Sequence, residues 1–309
     1  MIALHEPSAA RQVEAGFKAL VLRHQAEFNA GLEACLDEVE RQTQRFVQGL
    51  GYAKGAWYRT PHNVIVTAVM VCIHARERCA RDLVLAAQLH DVGYSVMELS
   101  SVAQGASWEG RRHEHMFRGA DVAFGHLHTL VASLDLGLSG ERIRKLTRII
   151  ATHDDPYGGK DLADPEARLV RSADRAFVPS ALSYYKDMLA IGADTGYLEK
   201  LAKLGLELSP HSMLMCRLAF FYPSDDALPS GWDRGALPIR AELAAFNEGG
   251  RCEPCYTSTE SEVVGEMFRA RARELSALEL VSSVEGFVSL VEDAFTHETR
   301  EILSKARVC

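Results

Sequence analysis

Apolar positions recur every three or four residues over most of this chain, the spacing of helices that bury one face. Residues 9–48 set the pattern, with Val13, Phe17, Leu20, Val21, Phe28, Leu32, Leu36, Val39 and Phe46 in register. Gly49, Gly51 and Gly55 follow and break it. The stretch predicts a helical hairpin packed on the core, with an oligomerisation arm as the rival reading. A second block opens at Thr60-Pro61-His62, where Pro61 suits a first helical turn and Thr60 its cap. It predicts one helix to about Ala80 and another from Asp82 to Asp91. Residues 98–111 are rich in Ser and Gly and predict a loop able to act as a lid. Helices are expected at about 113–135 and 139–153, followed by a loop from Asp154 to Lys160 and a helix opened by Pro165 that carries Asp174. The last third is also helical, with helices at about 259–277 and 282–306. Breaks fall at Tyr222 to Pro238, which holds three prolines and two glycines, and at Arg251 to Cys255. No internal repeat, low-complexity tract or run of alternating strand positions interrupts this, so the fold class is all-α.

Composition narrows the classes of function. The 309 residues are 47% apolar and 25% charged, ordinary for a globular protein with a sizeable core. A net charge of -8 argues against a polyanion-binding face, so no nucleic-acid polymer is expected as a partner. The seven cysteines are scattered, which suits a reducing compartment. Residues 1–10 do not form a signal peptide, and the longest apolar run, Val64 to Ile73, is shorter than the ~20 residues a bilayer span needs. The expectation is a cytoplasmic protein with no membrane partner and a possible homo-oligomer. Cys252 and Cys255 form a C-x-x-C pair without a second pair to complete a zinc site, and read as a plain loop.

The chemistry lies in His90-Asp91. An apolar run, Leu85 to Leu89, delivers an imidazole and a carboxylate to its end and stops at Gly93. Buried charges are costly unless paired, and a metal cation is a partner that offsets the cost. His62, His115, His153 and Asp174 flank the pair at separations of 21 to 38 residues. These are too long for a clamp on one helix and suit one ligand per helix around a common cavity. His113 is an alternative to His115. His74, His126, His128, His211 and His297 read as surface or packing histidines.

These residues stand in contexts that resemble the HD superfamily of metal-dependent phosphohydrolases. Ala86 to Gly93 resembles the family's A-x-L-L-H-D-I-G, and Val170 to Arg175 resembles its closing A-D stretch. His115 to Ala120 is similar to the H-x-x-x-G-A helix, and Ile149 to His153 includes a match to I-x-x-H, which supply extra ligands in two-metal members. The resemblance covers roughly residues 58 to 185. It implies an HD-type helical bundle at 56–195, with a helical extension at 1–55 and a helical region at 196–309. It further implies one or two divalent ions. The first would take His62, His90, Asp91 and Asp174; the second would share Asp91 and take His115 and His153. Imidazole and carboxylate ligands favour iron or manganese, with nickel, cobalt, magnesium or zinc also possible.

The activity implied is hydrolysis of a small phosphorylated metabolite or nucleotide by metal-activated hydroxide, with Asp91 orienting it. Arg175, Lys160, Arg59 and Arg112 are candidates to hold phosphate oxygens, Arg175 first because it follows a ligand. An alternative is a two-iron oxygenase resembling myo-inositol oxygenase or the phosphonate-cleaving enzymes. Another is a non-catalytic regulatory module. Tyr94 stands where the oxygenases and cyclic-dinucleotide phosphodiesterases tend to place Lys or His. The H-H and G-Y-P of the phosphodiesterases are absent after His153.

Overall fold

The computed structural model describes residues 7–51, 57–97, 108–134, 137–158, 160–192, 195–203, 205–222 and 254–309. Among them every regular element is helical and no strand occurs, as the apolar spacing predicts. The predicted hairpin is α1, Pro7–Glu33, and α2, Glu38–Leu50. Asp37 and Glu40 cap α2 reciprocally, each side chain accepting the other residue's amide. Gly51 ends α2 with φ at 63°, a conformation that favours glycine.

The next helices are α3, Arg59–Glu77; α4, Leu83–Leu89; the short α5, Gly93–Val96; α6, Trp108–Leu134; α7, Gly140–Thr152; and α8, Pro165–Arg175. A single 3-10 turn, Asp155–Gly158, follows α7. Helix α3 starts earlier than the expected Thr60 cap. Its first turn closes between the His62 amide and the Tyr58 carbonyl at 3.1 Å, so Thr60 lies inside it and Arg59 joins the helix. Pro61 is tolerated because first-turn amides need no helical acceptor. Arg78, at φ 53°, ends α3 before Ala80. Asp82 does not cap α4 with its side chain. Its carboxylate instead takes two bonds from Arg142 at 2.5 and 2.6 Å, and Arg142 also reaches Glu166 at 2.6 Å. One guanidinium thus joins the starts of α4, α7 and α8. Helix α6 begins at Trp108, so the end of the expected 98–111 loop is helical; residues 98–107 lie outside the described residues.

The chain divides into two compact units. One joins His24–Phe177 with Thr299–Cys309. At its centre α4 packs on α2, α3, α7 and α8, and every residue of α3 from Pro61 to Ile73 is buried. This explains the long apolar run Val64 to Ile73: it is a helix surrounded on all sides. The other unit joins Met1–Arg23 with Val178–Glu298. It contains α9, Ala181–Gly192; α10, Thr195–Lys203; α11, Pro210–Phe221; and α12, Ser258–Leu280. The final helix, α13, is Val284–Val308.

Helix α1 meets α13 in each unit. In the second-named unit Phe17 stacks on Phe287 with centroids 6.1 Å apart, and Arg23 binds Glu292 at 2.6 and 2.7 Å. In the first-named unit Arg300 binds Glu27 at 2.6 and 3.0 Å. Gly16 and Gly31 leave room for Val288 and Leu303, whose methyls would lie 2.5 and 2.9 Å from an added Cβ. No helix of the described residues is long and apolar enough to cross a membrane. Cys252 and most of the Tyr222 to Pro238 break lie outside the described residues.

Candidate metal centre

The six ligands expected from sequence converge inside the unit built around α4. His62 comes from α3, His90 and Asp91 from the end of α4, His115 from α6, His153 from the end of α7 and Asp174 from α8. His90, His115 and His153 are completely buried, and His62 and Asp91 nearly so. Two sets of donor atoms each lie within 4.8 Å of one another: His62, His90 and Asp91, and Asp91, His115 and His153. His113, the alternative to His115, is only half-buried.

The geometry is that of two imidazole pairs around one carboxylate. The Nε2 atoms of His62 and His90 are 2.9 Å apart, and those of His115 and His153 are 3.4 Å apart. Asp91 Oδ2 lies 3.2 Å from His62 and 3.4 Å from His90. Its Oδ1 lies 3.4 Å from His115 and 3.8 Å from His153. Asp174 Oδ1 closes the first set at 3.2 Å from His62 and 3.4 Å from His90.

These separations fit a divalent ion. Two ligands about 2.1 Å from one ion and at right angles lie about 3 Å apart. The ring tautomers fit as well. His90 Nδ1 faces the Ala87 carbonyl at 2.7 Å, and His153 Nδ1 faces the Ile150 carbonyl at 2.7 Å. A carbonyl can only accept, so Nδ1 carries the hydrogen and the Nε2 lone pair points into the cluster. Both imidazoles directly follow a helix and bond back to the carbonyl three residues earlier.

Charge at the centre is finely set. Burial opposes ionisation of Asp91, but Arg59 and then His90 hold its carboxyl well below the usual range. Burial likewise opposes charge on His90, yet Asp91 and Asp174 hold it well above the usual histidine range. His115 goes the other way, burial pushing it down to about 3. Two carboxylates thus converge on the His90 side of the cluster and favour positive charge there, which a bound cation or a second ring proton can supply.

Four residues at this centre were not among the expected ligands. Asp154 follows His153, and its Oδ2 lies 3.7 Å from His115 Nε2 and 3.9 Å from His153 Nε2. Arg171 is completely buried, and its Nη1 donates to Asp154 at 2.7 Å and to Asp174 at 3.0 Å. Tyr94 stacks on His115 with centroids 4.1 Å apart. Arg59 donates to Asp91 Oδ2 and lies 3.8 Å over the Tyr94 ring.

Arg175 is completely buried on α8, one turn beyond Arg171, which bonds two carboxylates of the cluster. Lys160 is 66% exposed and lies 4.0 Å from Asp155. The Arg112 side chain lies outside the described residues.

Asn63 and Gln88 brace the helices that carry His62 and His90. Gln44 donates to Asn63 at 3.0 Å, Asn63 to the Gln88 carbonyl at 2.8 Å, and Gln88 to the Glu40 carbonyl at 2.9 Å. This buried amide chain ties α2, α3 and α4 together next to His62 and His90. No protein-family description, curated protein or solved structure matches the chain.

Proposed function

We propose that the protein is a metal-dependent phosphohydrolase of HD type acting on a small phosphorylated metabolite or nucleotide. The observation that carries this reading is the convergence of four imidazole nitrogens on Asp91, with the Arg59 guanidinium against the same carboxylate. His62, His90, Asp91 and Asp174 would hold one ion, and Asp91, His115 and His153 a second. Bound ions would lower the pKa of water and offset charge developing on a phosphoryl group.

Arg59 is 11% exposed and can reach an anion arriving beside Asp91. A guanidinium matches two phosphate oxygens with its planar fork. Of the candidates to hold phosphate oxygens, Arg59 has its position beside Asp91 in support of that role. Tyr94 supports the Arg59 plane and the His115 ring together. The second reading, a two-iron oxygenase, would use the same four imidazoles and two carboxylates.

Elemental analysis of the purified protein, with a phosphatase and nucleotidase screen, tests the proposal. One or two manganese, iron, nickel or cobalt ions per chain with phosphate release are expected. Asp91→Ala is expected to lose both metal and hydrolysis while its far-ultraviolet circular dichroism stays helical. Metal retained at wild-type stoichiometry in that variant removes the site assignment. Two irons with oxygen uptake and no phosphate release move the assignment to the oxygenase.

A further inference from the structure

Resting on that reading, we infer that Asp154 is a seventh ligand, the terminal carboxylate of the second ion. The centre then consists of two like halves, each with two imidazoles and one terminal carboxylate, joined by Asp91.

Local structure makes the first argument. His153-Asp154 repeats the dipeptide His90-Asp91. Each histidine follows the last residue of a helix, and each fixes its ring through a 2.7 Å contact from Nδ1 to the carbonyl three residues earlier. The following aspartate therefore leaves the same kind of helix end in both places, and in both it meets imidazole Nε2 atoms. Asp91 meets all four; Asp154 meets the His115 and His153 pair.

Arg171 makes the second. Its Nη1 bonds Asp174 Oδ2 and Asp154 Oδ1. In each case the oxygen facing the imidazole pair is the other one, Oδ1 of Asp174 and Oδ2 of Asp154. One guanidinium thus orients two carboxylates so that each presents its remaining oxygen to a different histidine pair. An outer partner that aims a ligand carboxylate is a regular part of metal sites. The longer separations at Asp154, 3.7 and 3.9 Å against 3.2 and 3.4 Å at Asp174, leave the second half the wider of the two. Charge agrees: three carboxylates around two divalent ions leave less excess positive charge in a largely buried site than two would.

The test is equilibrium binding of manganese(II) to the chelator-stripped full chain, followed by electron paramagnetic resonance. Wild type, Asp154→Asn, Asp154→Ala and the neighbouring control Asp155→Asn would be compared. The asparagine keeps an oxygen for Arg171, so its fold is expected to match wild type by circular dichroism. Wild type and Asp155→Asn are expected to bind two ions and give a spin-coupled spectrum. Both Asp154 variants are expected to keep the first ion and bind the second at least ~10-fold more weakly, leaving a single-ion spectrum. Two ions at wild-type affinity in Asp154→Asn overturn the inference and leave the metal reading intact. One ion in wild type and variant alike also overturns it, since there is then no second half. No ion in wild type overturns the metal reading itself.

Discussion

His126 shows how burial alone sets the behaviour of a single residue. Its ring stacks on Phe46 with centroids 3.9 Å apart, and its Nε2 lies 3.2 Å from Thr43 Oγ1. Burial pushes its pKa down to about 4, against about 6.5 in an unfolded chain. Between these values the unfolded chain takes up a proton that the folded one refuses. Stability from this residue is therefore complete above about pH 6.5, falls as pH drops through that window, and levels off below about 4. Thermal melts of wild type and His126→Gln should show a gap in Tm that changes with pH between 4 and 6.5 and is flat outside it. A constant gap across that range removes the assignment. The same scale shows what sequence could deliver. His90, Asp91, His115, His153 and Asp174 were legible as a cluster because each sits in a motif, and His62 because it opens the helix before them. Arg171 was not, since its task is set by two carboxylates that only folding brings together. Asp154 had a signal, the repeated His-Asp dipeptide, but the Asp-Asp-Pro context made it read as a loop.

At the scale of elements, the separation between Asp91 and His115 depends on two glycines. A Cβ at Gly93 would sit 1.9 Å from the His115 carbonyl oxygen and 2.7 Å from the Gly119 amide nitrogen. A Cβ at Gly119 would meet the Gly93 nitrogen at 3.1 Å. Backbone atoms cannot step aside as a flexible side chain can, so α5 must move away from α6. Gly93→Ala is expected to cost about 3 kcal/mol or more, the upper end for overpacking, and Gly119→Ala clearly less. Urea midpoints of the two variants decide this, and a Gly119→Ala loss equal to or above that of Gly93→Ala contradicts it. Helix existence was legible from apolar spacing, and boundaries were less so. Thr60 looked like a cap because hydroxyls often cap, yet Tyr58 accepts the His62 amide. Asp82 stands at the start of α4 as expected, but its carboxylate goes to Arg142 rather than to the helix amides. Tertiary partners compete for the side chains that sequence assigns to local roles.

For the whole molecule, every candidate ligand belongs to the unit of His24–Phe177 and Thr299–Cys309. A ligand stabilises what it binds, by about 2.7 kcal/mol at a hundredfold excess over Kd, and protection from exchange follows the elements it holds. Manganese should therefore slow amide exchange in α3, α4, α7 and α8 far more than in α11 and α12. Equal slowing in both groups, or none in the first, contradicts the placement of the site. The pairing of α1 with α13 has a consequence for synthesis. Arg23 and Glu292 are 269 positions apart, and Glu27 and Arg300 are 273 apart. At roughly 5–20 residues per second, the first helix emerges from the ribosome tens of seconds before its partner exists. Its face, with Phe17, Gly16 and Gly31, must wait in the nascent chain for α13 to be translated.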